Sequence, residues 1–412
     1  MTYKERFDSL KKTYKPDFNF NTIIPDSGIE IQNRKFISNS WKLLPGGKTY
    51  FCEKHNREFE ENLSYENFRL YDLYPDTLKH DDIDIIENRE FSYTVFRKNN
   101  ENKNSNLILL FHGLNEKYWE KYLPWAEKLV KLTGKTVLLF PIAFHMNRVP
   151  AGWSNIHSMN SVAQNRRKYS KSITNSTFAN AAISARVEMI PQRFFWSGLQ
   201  TFYDVVKLIG EIKAGKNELI HPDAEIDLFS YSIGSFLSEI LLMSNPRNYF
   251  DNSKLFMFCG GPTLDRMAPN SKFILDSDAT IALYSFYTER LESELKLDKR
   301  IAHYFSGSHT AGNYFKAMLS YRKDKELRES RLRELSSKIY ALPLKNDDVV
   351  PPNEVLNTLQ GDYRDIPVKV DILDFPYAYS HITPFPATTE NEKLIDENFN
   401  IVFDKAAQFL RK

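Results

Sequence analysis

Short apolar runs that alternate with helical segments are the feature of this sequence that most limits what it can fold into. The runs begin near residue 90 and are too short for helices, so they predict strands. Most are apolar throughout, which is typical of strands buried on both faces of a parallel sheet. The first instead alternates apolar and polar residues, as a half-buried strand does. In chain order, the predicted strands are FSYTVF, NLILLF, KTVLLFP, EIDLFS, KLFMFCG, KIYALPL and VKVDILD.

Helical segments separate these strands and follow the last one, at about 120–132, 192–213, 234–244 and 392–410. Strands that alternate with helices are joined by crossover connections, which favour a mostly parallel central sheet with helices on both faces. The chemistry of such a sheet lies at the carboxyl ends of its strands. We therefore predict an α/β fold whose functional residues follow directly after the strands.

Three stretches fall outside this alternation. Residues 1–85 have little periodicity and several prolines, and we interpret them as an N-terminal extension packed on the main domain. Residues 86–412 form that domain, with predicted insertions at about 142–190 and 262–335. The second insertion is rich in aromatic residues and ends in a charged helical segment. It is therefore either a cap over an apolar pocket or a unit with its own small core.

The charge balance excludes some classes of partner. The chain carries 55 Lys and Arg against 53 Asp and Glu, a net charge of +2, which gives no general attraction to nucleic acid or anionic membranes. No apolar run approaches the roughly 20 residues that a membrane helix needs. The N-terminus has no apolar core segment of a signal peptide, so we expect a cytoplasmic protein. Nothing in the sequence indicates an oligomeric state.

Metal and cofactor motifs are not evident. The two cysteines, Cys52 and Cys259, are far apart and form no CxxC pair, which argues against a disulfide framework or a cysteine zinc site. His303 and His309 lack a metal-ligand spacing such as HExxH, and we interpret them as structural. The sequence contains no GxGxxG or GxxxxGKS phosphate loop. We therefore expect neither a metal nor a cofactor.

A possible nucleophile lies where a buried strand meets a buried helix, in Ser230-Tyr231-Ser232-Ile233-Gly234. A nucleophilic serine needs an exposed hydroxyl on a tight strand-to-helix turn, and small residues two positions to either side allow that turn. Ser230 and Gly234 are small, and the start of the helix favours developing negative charge. Because so short a motif also occurs by chance, a structural role for Ser232 is the alternative.

A carboxylate and a histidine follow later strands. KIYALPL leads into Asp347 and Asp348, and either can orient a histidine or cap the helix that begins near Pro351. His381 follows the last strand, on a loop from which it can accept the serine proton. The alternative for a lone loop histidine is a surface position. The order Ser, Asp, His, each after a successive strand, makes a chance arrangement less plausible.

The turn after NLILLF supplies a further element. Gly113 in Phe111-His112-Gly113-Leu114 permits a tight turn that can aim the Leu114 N–H at a developing oxyanion. The Ile233 N–H would be the second donor. The alternative is a turn that only ends the strand.

These four elements together resemble the α/β-hydrolase superfamily, over roughly residues 90 to 412. The resemblance implies an α/β-hydrolase fold with a cap, and a triad of Ser232, His381 and an aspartate. The motif Asp-x-x-Val-Pro, here Asp347 to Pro351, selects Asp347 as the acid. One departure is Ser230, which stands where the family has glycine. The extension and both insertions match no branch of the superfamily, so the resemblance implies no particular substrate.

The function expected is that of a serine hydrolase acting on an ester, thioester or amide of a small-molecule acyl substrate through an acyl-serine. An acyltransferase on the same fold and an inactive binding module are the alternatives. Three further residues are candidates to line a substrate pocket. His112 lies in the oxyanion turn, whereas His145 and Arg148 follow KTVLLFP near the edge of the sheet. All three have simple packing as the alternative.

Overall fold

A computed structural model describes residues 1–61, 74–99 and 103–411 of the chain. Within these ranges, nine strands form one sheet and two form a separate hairpin. The strands in chain order are β1 Asn21–Ile24, β2 Ile29–Ile37, β3 Thr49–Cys52, β4 Arg57–Glu60, β5 Glu90–Lys98, β6 Asn104–Phe111, β7 Thr136–Leu139, β8 Ile220–Tyr231, β9 Leu255–Phe258, β10 Ile339–Leu342 and β11 Lys369–Val370.

The sheet has the order β1-β2-β5-β7-β6-β8-β9-β10-β11. Strands β7, β6, β8, β9, β10 and β11 run parallel to one another, whereas β5 is antiparallel to both β2 and β7. This mixed, mostly parallel sheet confirms the predicted α/β-hydrolase fold. All seven predicted strands are present, although VKVDILD contributes only Lys369 and Val370 and an isolated bridge at Leu373.

Fifteen α-helices lie within the described ranges. They are α1 Tyr3–Thr13, α2 Asp76–Lys79, α3 Ile86–Arg89, α4 Leu123–Thr133, α5 Ile156–Tyr169, α6 Ala181–Met189, α7 Arg193–Lys213, α8 Ile233–Ser244, α9 Ser277–Tyr284, α10 Leu291–Leu297, α11 Lys299–Tyr304, α12 Thr310–Ala317, α13 Lys325–Leu335, α14 Pro352–Gln360 and α15 Glu392–Arg411. Gly134 ends α4 in the left-handed conformation, with φ 73°, as is common at a helix C-terminus.

Helices cover both faces of the sheet, and β6 shows why its sequence is apolar throughout. Leu107 and Leu109 point into a core formed with α7, α8 and the second insertion. Ile108 and Leu110, the alternate residues, point into a core formed with α1, α4 and α15. Successive side chains of a strand face opposite ways, so a strand covered on both sides needs apolar residues at every position.

Strand β5 differs from its prediction as half buried. Residues Phe91 to Phe96 are all buried, because β2 and β7 flank the strand and helices cover it. The side chains of Ser92 and Thr94, in this buried stretch, are hydrogen-bonded within the protein instead of solvated. The Thr94 hydroxyl donates to Asn33 Oδ1 at 2.8 Å, and Asn147 Nδ2 donates to the Ser92 hydroxyl at 2.7 Å. Alternation here reflects internal pairing of polar groups, which sequence periodicity does not distinguish from exposure.

Residues before β5 contribute to the main sheet, which the sequence pattern did not indicate. Strands β1 and β2 extend it as antiparallel neighbours, with Ile31 opposite Phe96. The polar residues Glu30 and Asn33 of β2 are buried and paired. Glu30 accepts a hydrogen bond from Arg97 Nε at 2.9 Å, and the Asn33 amide donates to the Lys15 carbonyl at 2.9 Å.

None of the helices in the described ranges combines the length and the hydropathy that a transmembrane span requires.

Candidate active site

Ser232 occupies the turn between β8 and α8. Its backbone has φ 55° and ψ −125°, a strained conformation that a sharp strand-to-helix turn imposes. The turn is possible because Gly234 has no side chain: a Cβ there would lie 2.8 Å from the His112 carbonyl oxygen and 2.8 Å from Phe111 Cβ. The small residue predicted from the motif is thus required by the close approach of α8 to the end of β6.

Substitution of this glycine gives a first prediction. Gly234→Ala should lower the free energy of unfolding by about 1–3 kcal/mol, because the new methyl group has to displace backbone. Chemical denaturation measures this change. Gly198→Ala is the matched control, since a Cβ at Gly198 meets no described atom within 4 Å. That helical substitution should be neutral or stabilising by about 0.5–1 kcal/mol. Equal effects at both sites would contradict the proposed packing.

Ser232, His381 and Asp347 form a continuous hydrogen-bonded chain. The Ser232 hydroxyl oxygen lies 2.7 Å from His381 Nε2. His381 Nδ1 lies 2.8 Å from Asp347 Oδ2 and 3.0 Å from Asp347 Oδ1. All three residues are at most 5% exposed, whereas the neighbouring Asp348 is exposed. The fold therefore brings together the three residues predicted from sequence and separates the two aspartates.

Backbone groups fix the carboxylate in this position. Asp347 Oδ1 accepts hydrogen bonds from the Val349 N–H at 3.0 Å and the Val350 N–H at 2.8 Å. Burial and the charge of the nearby Asp347 raise the pKa of the Cys259 thiol well above its usual value, so the thiol stays neutral. Oδ2 is left directed at the histidine.

The histidine is held from its backbone and from one ring face. The Tyr231 hydroxyl donates to the His381 carbonyl oxygen, and the two rings stack with centroids 5.3 Å apart and planes inclined by 20°. Burial raises the pKa of Tyr231 well above its usual value, so the phenol remains a neutral donor. Lys121 also donates to the Ile382 carbonyl, at 3.1 Å. The loop that carries His381 is thus fixed through the carbonyls of two consecutive residues, His381 and Ile382.

His112 has a role in the turn rather than in a pocket. It is fully buried, and its Nε2 accepts from the Ile142 N–H at 2.9 Å. Nδ1 lies 2.8 Å from the Gly113 carbonyl, so Nδ1 carries the proton. Burial lowers the pKa of His112 well below its usual value and keeps this neutral tautomer. The Gly113 N–H donates to the Tyr122 hydroxyl at 3.0 Å, which fixes the turn that precedes Leu114.

Two adjoining apolar cavities are lined by residues that flank Ser232. Leu114 and Ile233, the predicted oxyanion residues, both line the first cavity. The second cavity shares Leu114 and His145 with the first. A concave, mostly apolar lining with a few polar groups is typical of a small-molecule site. Aromatic and aliphatic side chains form much of the wall of the first cavity, among them Phe194, Phe195, Phe202, Phe236, Leu237 and Phe315.

His145 and Arg148, expected together, have different environments. His145 lines both cavities, and its Nδ1 lies 2.9 Å from the Ala143 carbonyl. Its Nε2 is buried with no hydrogen-bond partner in the described part of the chain. Burial lowers the pKa of His145 to about 4, so the ring is neutral near neutral pH.

Arg148 lines neither of these cavities. It is fully buried, with its guanidinium 2.8 Å from Asp204 and 2.9 Å from Asn88 Oδ1, and it lies over the Phe91 ring at 3.9 Å. The guanidinium is already paired by these contacts, so we do not include Arg148 in the proposed substrate pocket.

Sequence reasoning missed the contribution of α7 to this site. Phe194, Phe195, Ser197 and Gly198 all line the first cavity, although they were predicted only as part of a helix. An apolar stripe that ends in Ser-Gly gives no signal of a cavity, because the same pattern suits simple packing. None of the triad residues belongs to the His and Cys group that the described chain offers as a metal site.

Several solved esterase structures are similar to this chain at low sequence identity. Similar solved structures include a thermostable esterase from Pseudomonas putida ECU1011, 8% identical, with 99% of this chain and 89% of that chain covered and a TM-score of 0.42. A mutant of esterase rPPE is 8% identical, with 99% of this chain and 89% of that chain covered and a TM-score of 0.47. A hyperthermophilic esterase from the archaeon Pyrobaculum calidifontis is 13% identical, with 77% of this chain and 80% of that chain covered and a TM-score of 0.38. A search of curated proteins found no match.

A protein-family model covers nearly the whole chain. It matches residues 1–411, a span that includes the extension and both insertions. The chain therefore belongs to the family described as "Family of unknown function (DUF6051)".

Proposed function

We propose that this protein is a serine hydrolase that cleaves an ester, or a related thioester or amide, through a covalent acyl-Ser232 intermediate. The observation that carries the proposal is the hydrogen-bonded chain from Ser232 through His381 to Asp347, at 2.7 Å and 2.8 Å. A serine hydroxyl is a weak nucleophile unless a base removes its proton as it attacks. Here the base is aligned with the hydroxyl and is itself oriented by a buried carboxylate.

In the first half-reaction, Ser232 Oγ bonds to the substrate carbonyl carbon while its proton passes to His381 Nε2. The electron pair of the carbonyl bond moves onto the oxygen, and Asp347 stabilises the imidazolium. The tetrahedral intermediate then collapses: the bond to the leaving group breaks, and His381 returns the proton to that group. Water, activated by the same histidine, releases the acyl group in the second half-reaction.

The Leu114 and Ile233 N–H groups are proposed as the oxyanion donors. Ile233 is the first residue of α8, and such a residue has no intrahelical acceptor for its N–H. Leu114 follows Gly113, whose Cβ position would lie 3.4 Å from Ser232 Cβ. Both donors thus flank the nucleophile, and the helix N-terminus adds favourable potential for negative charge.

The acyl group of the substrate is proposed to occupy the cavity lined by Phe194, Phe236 and Phe315. An apolar wall favours an aliphatic or aromatic acyl chain over a charged one. His145 supports recognition of a polar group, because the residue lines both cavities and its Nε2, the acceptor of a neutral ring, has no partner among the described residues. A substrate hydroxyl or amide that donates to it would satisfy this buried nitrogen.

The two insertions are proposed to form a cap over this site. Trp153 and Ile183 of the segment 142–190 line the second cavity, as do Leu275 and Leu283 of 262–335. Phe315, also of the second insertion, packs against Phe195 with ring centroids 4.9 Å apart. The insertion's aromatic residues support the cap alternative where they line the cavity, and they otherwise pack in the main core rather than in a small core of their own.

The test is reaction of the full chain with a fluorophosphonate probe, followed by a panel of esters of increasing acyl length and the matching thioesters. We expect stoichiometric labelling and release of acid. Labelling with acyl transfer to an added alcohol or amine in place of hydrolysis would indicate an acyltransferase. A folded protein that neither labels nor turns over any substrate would contradict the proposal and favour a binding module.

Gly198 allows the acyl pocket to be tested separately from the triad. It lies in α7, lines the cavity, and has open space where a side chain would begin. Gly198→Leu should therefore fill the pocket and lower kcat/KM for esters of long acyl chains by about 10–200-fold. Acetate esters and labelling of Ser232 should change little, and Gly198→Ala is the control. An unchanged chain-length profile would place the acyl group elsewhere.

A further inference from the structure

Four potential metal ligands meet outside the proposed active site. Cys52 ends β3, and His55 lies in the short turn between β3 and β4. His303 lies in α11, and His309 immediately precedes α12. The ligand atoms of these four side chains all lie within 4.8 Å of one another. Sequence reasoning treated the two later histidines as structural, because their partners are some 250 positions away.

Three of the six distances between the ligand atoms are close to the edges of a metal tetrahedron. Cys52 Sγ lies 3.4 Å from His55 Nδ1 and 3.6 Å from His309 Nε2, and His309 Nε2 lies 3.1 Å from His303 Nε2. Bond lengths of about 2.3 Å from zinc to sulfur and about 2.0–2.1 Å to nitrogen place tetrahedral ligand atoms ~3.3–3.6 Å apart.

The three rings also have the orientation of ligands around a shared centre. His55 and His303 are inclined by 90°, His55 and His309 by 73°, and His303 and His309 by 77°. Their centroids are 4.7–4.9 Å apart, so the rings meet edge to face rather than stacking. A hydrogen-bonded network is the alternative. It needs the thiol and imidazole protons to be shared among four groups that converge on one point.

We propose that Cys52, His55, His303 and His309 form a structural zinc site. One thiolate and three imidazoles make a soft, nitrogen-rich set that suits Zn²⁺. On binding, the Cys52 thiol releases its proton to solvent, and each neutral imidazole donates a lone pair. Four protein ligands complete the tetrahedron, which is typical of a structural site and not of a catalytic one.

The site would join the hairpin β3–β4 to the second insertion. The hairpin β3–β4 has only two strands, and such a hairpin is marginally stable alone. Outside the cluster it contacts the second insertion through Lys54, which donates to the Ser308 carbonyl at 2.6 Å. Cys52 and His309 line an open cleft that gives an ion access to the cluster. Zinc would thus fasten the N-terminal hairpin to the proposed cap.

Metal binding by the full-length chain is the first test. The protein is stripped with a chelator and titrated with Zn²⁺ or Co²⁺, and bound metal is measured per chain. We expect one ion per chain. Bound Co²⁺ should give the intense visible bands of tetrahedral coordination together with a thiolate charge-transfer band. The absence of stoichiometric binding, or the weak bands of octahedral Co²⁺, would overturn the proposal.

Two variants assign the ligands. Cys52→Ser should lose the charge-transfer band. His55 is the least buried of the four ligands, so His55→Ala should disturb folding least. It should weaken zinc binding by at least about 100-fold, since loss of a merely orienting group already costs 10–100-fold. His157→Ala, another exposed histidine, is the matched control. Wild-type affinity in both cluster variants would overturn the assignment. Fluorophosphonate labelling of Ser232 reports the proposed hydrolase separately.

Discussion

Ser232→Ala should abolish covalent labelling and reduce turnover by on the order of a million-fold. The reason is that the bond to the acyl group forms at Ser232 Oγ, and no other hydroxyl occupies the position 2.7 Å from His381 Nε2 in the described chain. The thermal midpoint should change little, because the substitution removes a single hydrogen bond, worth about 1 kcal/mol. Initial rates of ester hydrolysis and intact-protein mass after probe treatment measure the two effects.

The matched control for this variant is Ser230→Ala. Ser230 belongs to the same short motif, is fully buried, and lies 3.2 Å from the Ser235 hydroxyl instead of the histidine. It should keep both labelling and turnover within a few-fold of the parent. Labelling that survives in Ser232→Ala, or that disappears in Ser230→Ala, would mean that the nucleophile is assigned to the wrong residue.

The strands that carry the site were predictable because burial on both faces leaves an apolar run in the sequence. NLILLF and EIDLFS end where the turns at Gly113 and Ser232 begin, and both are strands in the structure. Strand β2 was not predictable in the same way. Its sequence, IEIQNRKFI, includes polar residues that are buried, and the charged one among them, Glu30, pairs with Arg97 from elsewhere in the chain.

The remaining differences have the same physical origin. Arg148 and His112 were expected near substrate because they follow strands. In the structure Arg148 pairs with Asp204, and His112 Nε2 accepts a hydrogen bond from the Ile142 N–H. The Cys52 cluster escaped notice because its ligands come from the N-terminal hairpin and the second insertion. Local sequence reports which residues end a strand. It does not report which distant group will meet them, and that contact decides whether a side chain is structural or free to act.

Asp347→Asn should lower kcat by about ten-thousand-fold while leaving the fold intact. In the parent, Asp347 Oδ1 accepts the Val349 and Val350 N–H groups, so the amide oxygen of asparagine should take that place. The NH₂ group then faces His381 Nδ1 at the position of Oδ2. Two donors cannot pair, so the ring would shift its proton to Nε2 and could no longer accept from Ser232.

Asp348→Asn is the control and should alter kcat only a few-fold, because Asp348 is exposed. The comparison needs steady-state kcat, the rate of probe labelling and the thermal midpoint of both variants. A larger loss in Asp348→Asn than in Asp347→Asn would show that the orienting carboxylate is the neighbouring residue.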